Sequence, residues 1–270
     1  MIFNDLINNM ILVILICLQQ FCCQPNNFAN SIMTHNCEGL KEPPFQGTIF
    51  INSDIVTPED LSTFVGLTYN GREERVMFDR RVDNWITIWP YLFPALFDDS
   101  LQIEIQVNPE FGNYQKAMIQ AEKFAPIIGQ LPNELRKDIK TVWIHRGNFP
   151  FGGGNNNLLI HTDYSSLNYE KQGILEETLI HEAAHTSLDE YHSNDSLWFI
   201  AQEKDCGFIS SYAQEHPDRE DIAESYLLYF AVKFRSGRIS SDLKKKIQLS
   251  MPNRIKYFDD QNYNMYPVLK

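Results

Sequence analysis

The 270-residue chain is 43% hydrophobic and 13% aromatic, enough apolar side chain to bury a sizeable core, which excludes a mostly disordered protein. Thirteen glycines and thirteen prolines are too few for a collagen-like or low-complexity chain. With 35 acidic against 23 basic residues the net charge is −12, which offers nucleic acid no electrostatic footprint and repels anionic lipid.

In chain order, Met10 to Leu18 form an unbroken apolar run of nine residues. A membrane-spanning helix needs about 20, so the run reads as the core of a signal peptide over residues 1–23, with no membrane span expected. Loss of that segment removes Cys17, Cys22 and Cys23. Cys37 and Cys206 are then left as one expected disulfide in a secreted, extracellular protein. Residues 24–46, with Pro25, Pro43 and Pro44, read as an extended lead-in.

Residues 47–108 have the pattern of a small antiparallel β segment. GTIFI (47–51) is a short apolar strand, and NWITIW (84–89) and LQIEIQV (101–107) alternate with period two. Asn70-Gly71, set between two alternating runs in 64–79, is a hairpin signal. After Pro109 the period becomes helical, over 113–131 with Pro126 as a kink or stop, then over a short second helix in LPNELRKDI. TVWIHR (141–146) and LLIHT (158–162) read as strands. Between them FGGGNNN (151–157) reads as a flexible loop that lacks the Lys and Ser/Thr of a phosphate cradle. The strongest helices are 173–188 and 219–234, and another is expected around 242–248.

The first of these carries His181-Glu182-Ala183-Ala184-His185. On a helix, positions 181 and 185 lie one above the other, so both imidazoles can meet one metal ion. Glu182, rotated about a hundred degrees, lies beside that ion, where a general base for water is needed. Zinc requires a third protein ligand and an open position. The metzincin continuation fails, because Leu188 stands where Gly is required and Tyr191 where His is, with His192 one step out of place. Asp189 is suited to holding an imidazole N–H rather than the metal. The third ligand is assigned to the next strong helix, with Glu220 on the metal and Glu224 one turn later orienting a ligand imidazole. The reverse assignment is separated from this one only by a family pattern.

That pattern is the gluzincin one. HEAAH followed 35 residues after its second His by Glu220-Asp221-Ile222-Ala223-Glu224 resembles the gluzincin metallopeptidases, nearest in motif to the catalytic domain of anthrax lethal-factor-like toxins. Tyr212, eight residues before Glu220, matches a Tyr that precedes the E-x-x-A-E helix in that family. The resemblance covers about 173–234. It implies an α+β fold with a zincin-like core over 109–270, two metal-bearing helices and a small sheet whose edge strand, 158–162, pairs with an extended substrate. The Gly-rich loop would be a mobile rim. The implied activity is a secreted zinc endopeptidase acting on a peptide or protein, with Zn2+ on His181, His185 and Glu220, Glu182 as base and Tyr212 on the oxyanion. A secreted binding or structural module, zinc-bearing or metal-free, is the alternative.

Overall fold

The computed structural model describes residue 37, residues 39–51 and residues 54–269; the expected signal segment and most of the lead-in lie outside them. Eight strands are present among these residues: β1 (Phe64–Leu67), β2 (Arg75–Asp79), β3 (Asn84–Ile88), β4 (Tyr91–Phe97), β5 (Gln102–Val107), β6 (Thr141–His145), β7 (Gly152–Gly154) and β8 (Asn157–His161). Six form one sheet in the order β1-β4-β5-β6-β8-β7, while β2 and β3 make a separate hairpin. The β5–β6 and β6–β8 pairs are parallel and the rest antiparallel, so the fold is mixed α/β on a mixed sheet.

The strands of 47–108 therefore do not build a sheet of their own. The sheet extends past the 108 boundary, because β5 pairs in parallel with β6 and Ile105 lies opposite Val142. Two local expectations change with it, and one strand appears that was not expected. Asn70-Gly71 does not close a hairpin. It runs alongside β4, with the Asn70 N–H donating to the Leu92 carbonyl at 2.8 Å and the Leu92 N–H to Gly71 at 3.0 Å. The hairpin turns instead between Asp79 and Asn84, where Asp83 takes a positive φ of 49°. GTIFI forms no strand, because buried carboxylates rather than a neighbouring strand receive its N–H groups. Ile49 donates to Glu224 at 3.0 Å and Ile51 to Glu177 at 2.6 Å. Finally, Tyr91–Phe97 is a central strand despite Pro94, and its partner β1 breaks register between Phe64 and Gly66.

The Gly-rich segment is β7, the outermost strand beside β8, so the edge is Gly152–Gly154 and not 158–162. Its turn is Asn155-Asn156, both with positive φ (51° and 57°), the backbone of a two-residue primed hairpin. The helices that matter for the site are α1 (Tyr114–Ile128), α2 (Asn133–Arg136), α3 (Leu175–Ser187), α4 (Asp189–His192), α5 (Ser196–Asp205), α6 (Ser211–Glu215), α7 (Pro217–Phe234), α8 (Ser241–Ser250) and α9 (Pro252–Asp260). Pro126 does not break α1, since it falls in the last turn, where the Ser62 hydroxyl bonds its carbonyl at 2.7 Å. One sheet face packs on α1, α3 and α7 through Ile105, Phe124, Val142, Ile160, Leu179 and Leu227. The opposite face, with Trp143 and Leu159, is covered by the β2–β3 hairpin through Met77 and Phe78.

Helix α7 is buried along nearly its whole length, so its acidic residues need partners inside the protein. Asp221 is met by Arg254 at 2.9 and 3.1 Å and by Gln202 at 2.7 Å, and Arg254 also reaches Asp205 at 3.2 Å. This fully buried network ties the first turns of α7 to α5 and α9. Among the described residues no helix is long and apolar enough to cross a membrane. Cys37 and Cys206 are disulfide-bonded across 169 residues of sequence.

Two outcomes are expected. Arg254→Met leaves two buried carboxylates without their cation, so chemical denaturation should show a loss of about 3–5 kcal/mol. Non-reducing peptide mapping should recover Cys37 linked to Cys206, and replacing both by Ala should cost about 2–5 kcal/mol.

Candidate metal centre

His181 and His185 lie on one face of α3 and Glu220 in the first turn of α7, all three buried. The distances between their inward atoms form an almost regular triangle. His181 Nε2 to His185 Nε2 is 3.2 Å, His185 Nε2 to Glu220 Oε2 is 3.2 Å, and His181 Nε2 to Glu220 Oε2 is 3.3 Å. A tetrahedral zinc with bonds of about 2.0–2.1 Å separates its ligand atoms by about 3.3–3.4 Å. The triangle therefore has the dimensions of one face of a zinc site, and two imidazoles with a carboxylate are a donor set zinc accepts. Among the described residues this is the one group of three or more such side chains that could hold a metal.

The residues around the triangle fix its orientation. α3 ends at Ser187, and after Leu188 Asp189 opens α4 with its carboxylate 2.9 Å from His185 Nδ1. That contact requires the Nδ1–H tautomer and leaves Nε2 facing the centre. Glu224 lies 3.8 Å from His181 Nδ1, outside hydrogen-bond range, and its hydrogen bonds go to the Ile49 N–H and the Ser210 hydroxyl. His181 Nδ1 is accordingly buried without a hydrogen bond. Glu224 thus backs His181 electrostatically and anchors the 47–51 segment.

Electrostatics follow the geometry. Burial alone would push the His185 imidazole down, but Asp189 and Glu220 outweigh it and raise it to about 10 when no metal is present. Burial likewise acts to raise Glu220, yet the hydrogen bonds from His181 and His185 hold its carboxyl far below the usual range. Glu224 is pushed up to about 7, chiefly by burial, against the pull of His181 and its hydrogen bonds. Burial and the nearby Glu220 charge raise the Tyr212 phenol, which keeps it protonated and able to donate.

The centre opens onto two adjoining clefts. One, of about 330 Å3, is bordered by His181, Glu182, Tyr212, Thr48, Phe50 and Phe151. The other, of about 490 Å3, is bordered by Gly153, Asn155, Thr186 and Asp189. They meet at His185 and Arg219, so a single groove follows β7 past the centre. The groove depends on Gly153. A Cβ there would fall 1.8 Å from the Glu182 carbonyl oxygen, so only glycine lets the strand lie against the α3 backbone. Thr186 staples the same contact, donating to the Asn157 carbonyl at 2.9 Å and accepting the Gly154 N–H at 2.9 Å.

Sequence reasoning missed Thr48, Phe50 and Arg219 as cleft walls. Nothing in 47–51 signals contact with residues so distant in the chain. The Asn155-Asn156 pair is a primed-turn signal that the reading of 151–157 as a flexible loop passed over, and the edge strand was missed with it.

Gly153→Ala should test the strand contact. The added methyl is expected to cost about 1–3 kcal/mol in thermal or chemical unfolding.

No family model matches the sequence, and neither the curated proteins nor the solved structures offer a match.

Proposed function

We propose that this protein is a secreted zinc metallopeptidase with a zincin-like core, in which His181, His185 and Glu220 hold the metal. The observation that carries the reading is the 3.2–3.3 Å triangle of two Nε2 atoms and one carboxylate oxygen, set at the floor of an open groove. The orphaned His181 Nδ1 supports it, because metal coordination at Nε2 places the ring proton on Nδ1, toward Glu224. A bound zinc supplies Lewis acidity and lowers the pKa of its water to about 7.

The chain's own groups then divide the work of hydrolysis. Glu182 borders the cleft beside the imidazoles, placed to take a proton from the attacking water. The water oxygen bonds to the peptide carbonyl carbon. Glu182 returns the proton to the amine nitrogen as the C–N bond breaks. The protonated Tyr212 hydroxyl, within reach of Glu220, donates to the oxyanion that develops on the carbonyl. Asp189 keeps His185 in one tautomer throughout. The strand β7, outermost in the sheet and running along the groove, offers an extended peptide a backbone edge to lie beside.

Purified protein is expected to hold one zinc per chain by elemental analysis. Retention should weaken as pH falls, because protons compete for His185. Metal-free protein from a chelator-free preparation overturns the reading. Glu182→Gln should keep the zinc and lose about 100-fold or more of peptide hydrolysis. Glu220→Ala should lose zinc and activity together, whereas Glu224→Ala and Asp189→Ala should cost about 10- to 100-fold in zinc affinity or activity. Full zinc in Glu220→Ala with loss in Glu224→Ala would exchange the roles of those two carboxylates.

A further inference from the structure

β7 divides two faces of the sheet edge. The Cβ that Gly153 lacks would point at the α3 backbone, on the side of the metal centre. The one that Gly152 lacks would point the other way, 2.7 Å from an Arg80 nitrogen and 3.7 Å from the Leu159 side chain. On that second side lies a groove of about 200 Å3 between the edge strand and the β2–β3 hairpin, lined by Phe78, Trp85, Trp143 and Leu159. Trp85 stands edge-on to both Phe78 and Trp143, with centroids 5.6 and 5.4 Å away. It is 51% exposed, so an aromatic wall is left open to solvent beside the strand. Gly152, Gly153 and Gly154 border this groove and also the clefts of the metal centre.

Successive side chains of an extended peptide point to opposite faces. A substrate laid along β7 therefore sends one set of side chains toward the metal side and the alternate set over the hairpin side. The absence of a side chain at Gly152 leaves room for the Arg80 guanidinium, which lines this groove together with the aromatic rings. We infer that the Phe78–Trp85–Trp143 groove is a specificity subsite that takes an aromatic or large aliphatic substrate side chain, at a position alternating with those that face the metal. The inference rests on the peptidase reading above. Arg80 holds the wall in place, donating to the carbonyls of Pro150 at 3.1 Å and Phe151 at 2.8 Å just before the strand.

The test uses the full zinc-loaded chain and a proteome-derived peptide library whose cleavage sites are mapped by mass spectrometry. Wild type should enrich Phe, Tyr, Trp or Leu at one position of the hairpin-facing set. Trp85→Ala should remove that enrichment, lowering kcat/KM about tenfold for a peptide with Phe there and leaving its Ala counterpart unchanged. Zinc content should not change, since Trp85 touches no part of the metal centre. A second readout needs no turnover. In the Glu182→Gln background, fluorescence anisotropy of the labelled Phe peptide should show about tenfold tighter binding than the Ala peptide, and Trp85→Ala should abolish the difference. Cleavage without such a preference, or a preference that Trp85→Ala leaves intact, overturns the subsite while the peptidase stands. No cleavage of any library peptide by the zinc-loaded wild type overturns both.

Discussion

Three carboxylates buried within five residues of one helix are the constraint around which this molecule is arranged. Glu220, Asp221 and Glu224 are each at most 3% exposed, and burying an ionised carboxylate without compensation costs more than a domain can sustain. Each is answered by a different part of the chain. Asp221 is neutralised by Arg254, near the C-terminal end of the fold. Glu220 faces the two imidazoles of α3. Glu224 accepts the Ile49 N–H from the first described segment and backs His181. Distant stretches of sequence thus converge on α7 because its charges have to be met, and the candidate metal centre is where one of those encounters takes place.

The same logic explains why the two histidines are so exact in their placement. One imidazole is fixed from behind by Asp189, and the other is held between Glu220 and Glu224. Without a cation the triangle gathers a single buried acidic charge against two nitrogens whose protonation is set by their neighbours. A divalent ion would satisfy all three inward atoms at once and give the remaining N–H groups defined directions. A donor set of this kind is organised before the ion arrives, which lowers the ordering cost of binding.

How much of this was legible in the sequence varied with the range of the interaction. His181, Glu182 and His185 share one helix, and helical periodicity alone set their relative positions. Glu220 required a second helix to pack at the correct height against the first, and only the family spacing separated it from Glu224. Glu224 illustrates the limit. Its place one turn on was readable, but its hydrogen-bond partner, the Ile49 amide, belongs to a segment whose apolar composition read as a strand. The Gly-rich stretch misled in the opposite direction. Three glycines look like a flexible loop until a helix backbone is found within reach of one of them, and that requirement is tertiary. The mixed sheet was hidden for a related reason. Alternation identified β5, but nothing local shows that its neighbour is a parallel strand more than thirty residues later.

The segment 47–51 carries a consequence in time as well as in space. Its bonds to Glu177 and Glu224 close over 126 and 175 residues, and the disulfide behind it closes over 169. Contacts of such long sequence separation bear the largest loop-closure entropy and form after local pairings have reduced it. The hairpin and the helices α3 and α7 are local structures by comparison. The wall that Thr48 and Phe50 give to the cleft is therefore expected to be a late piece of the assembly.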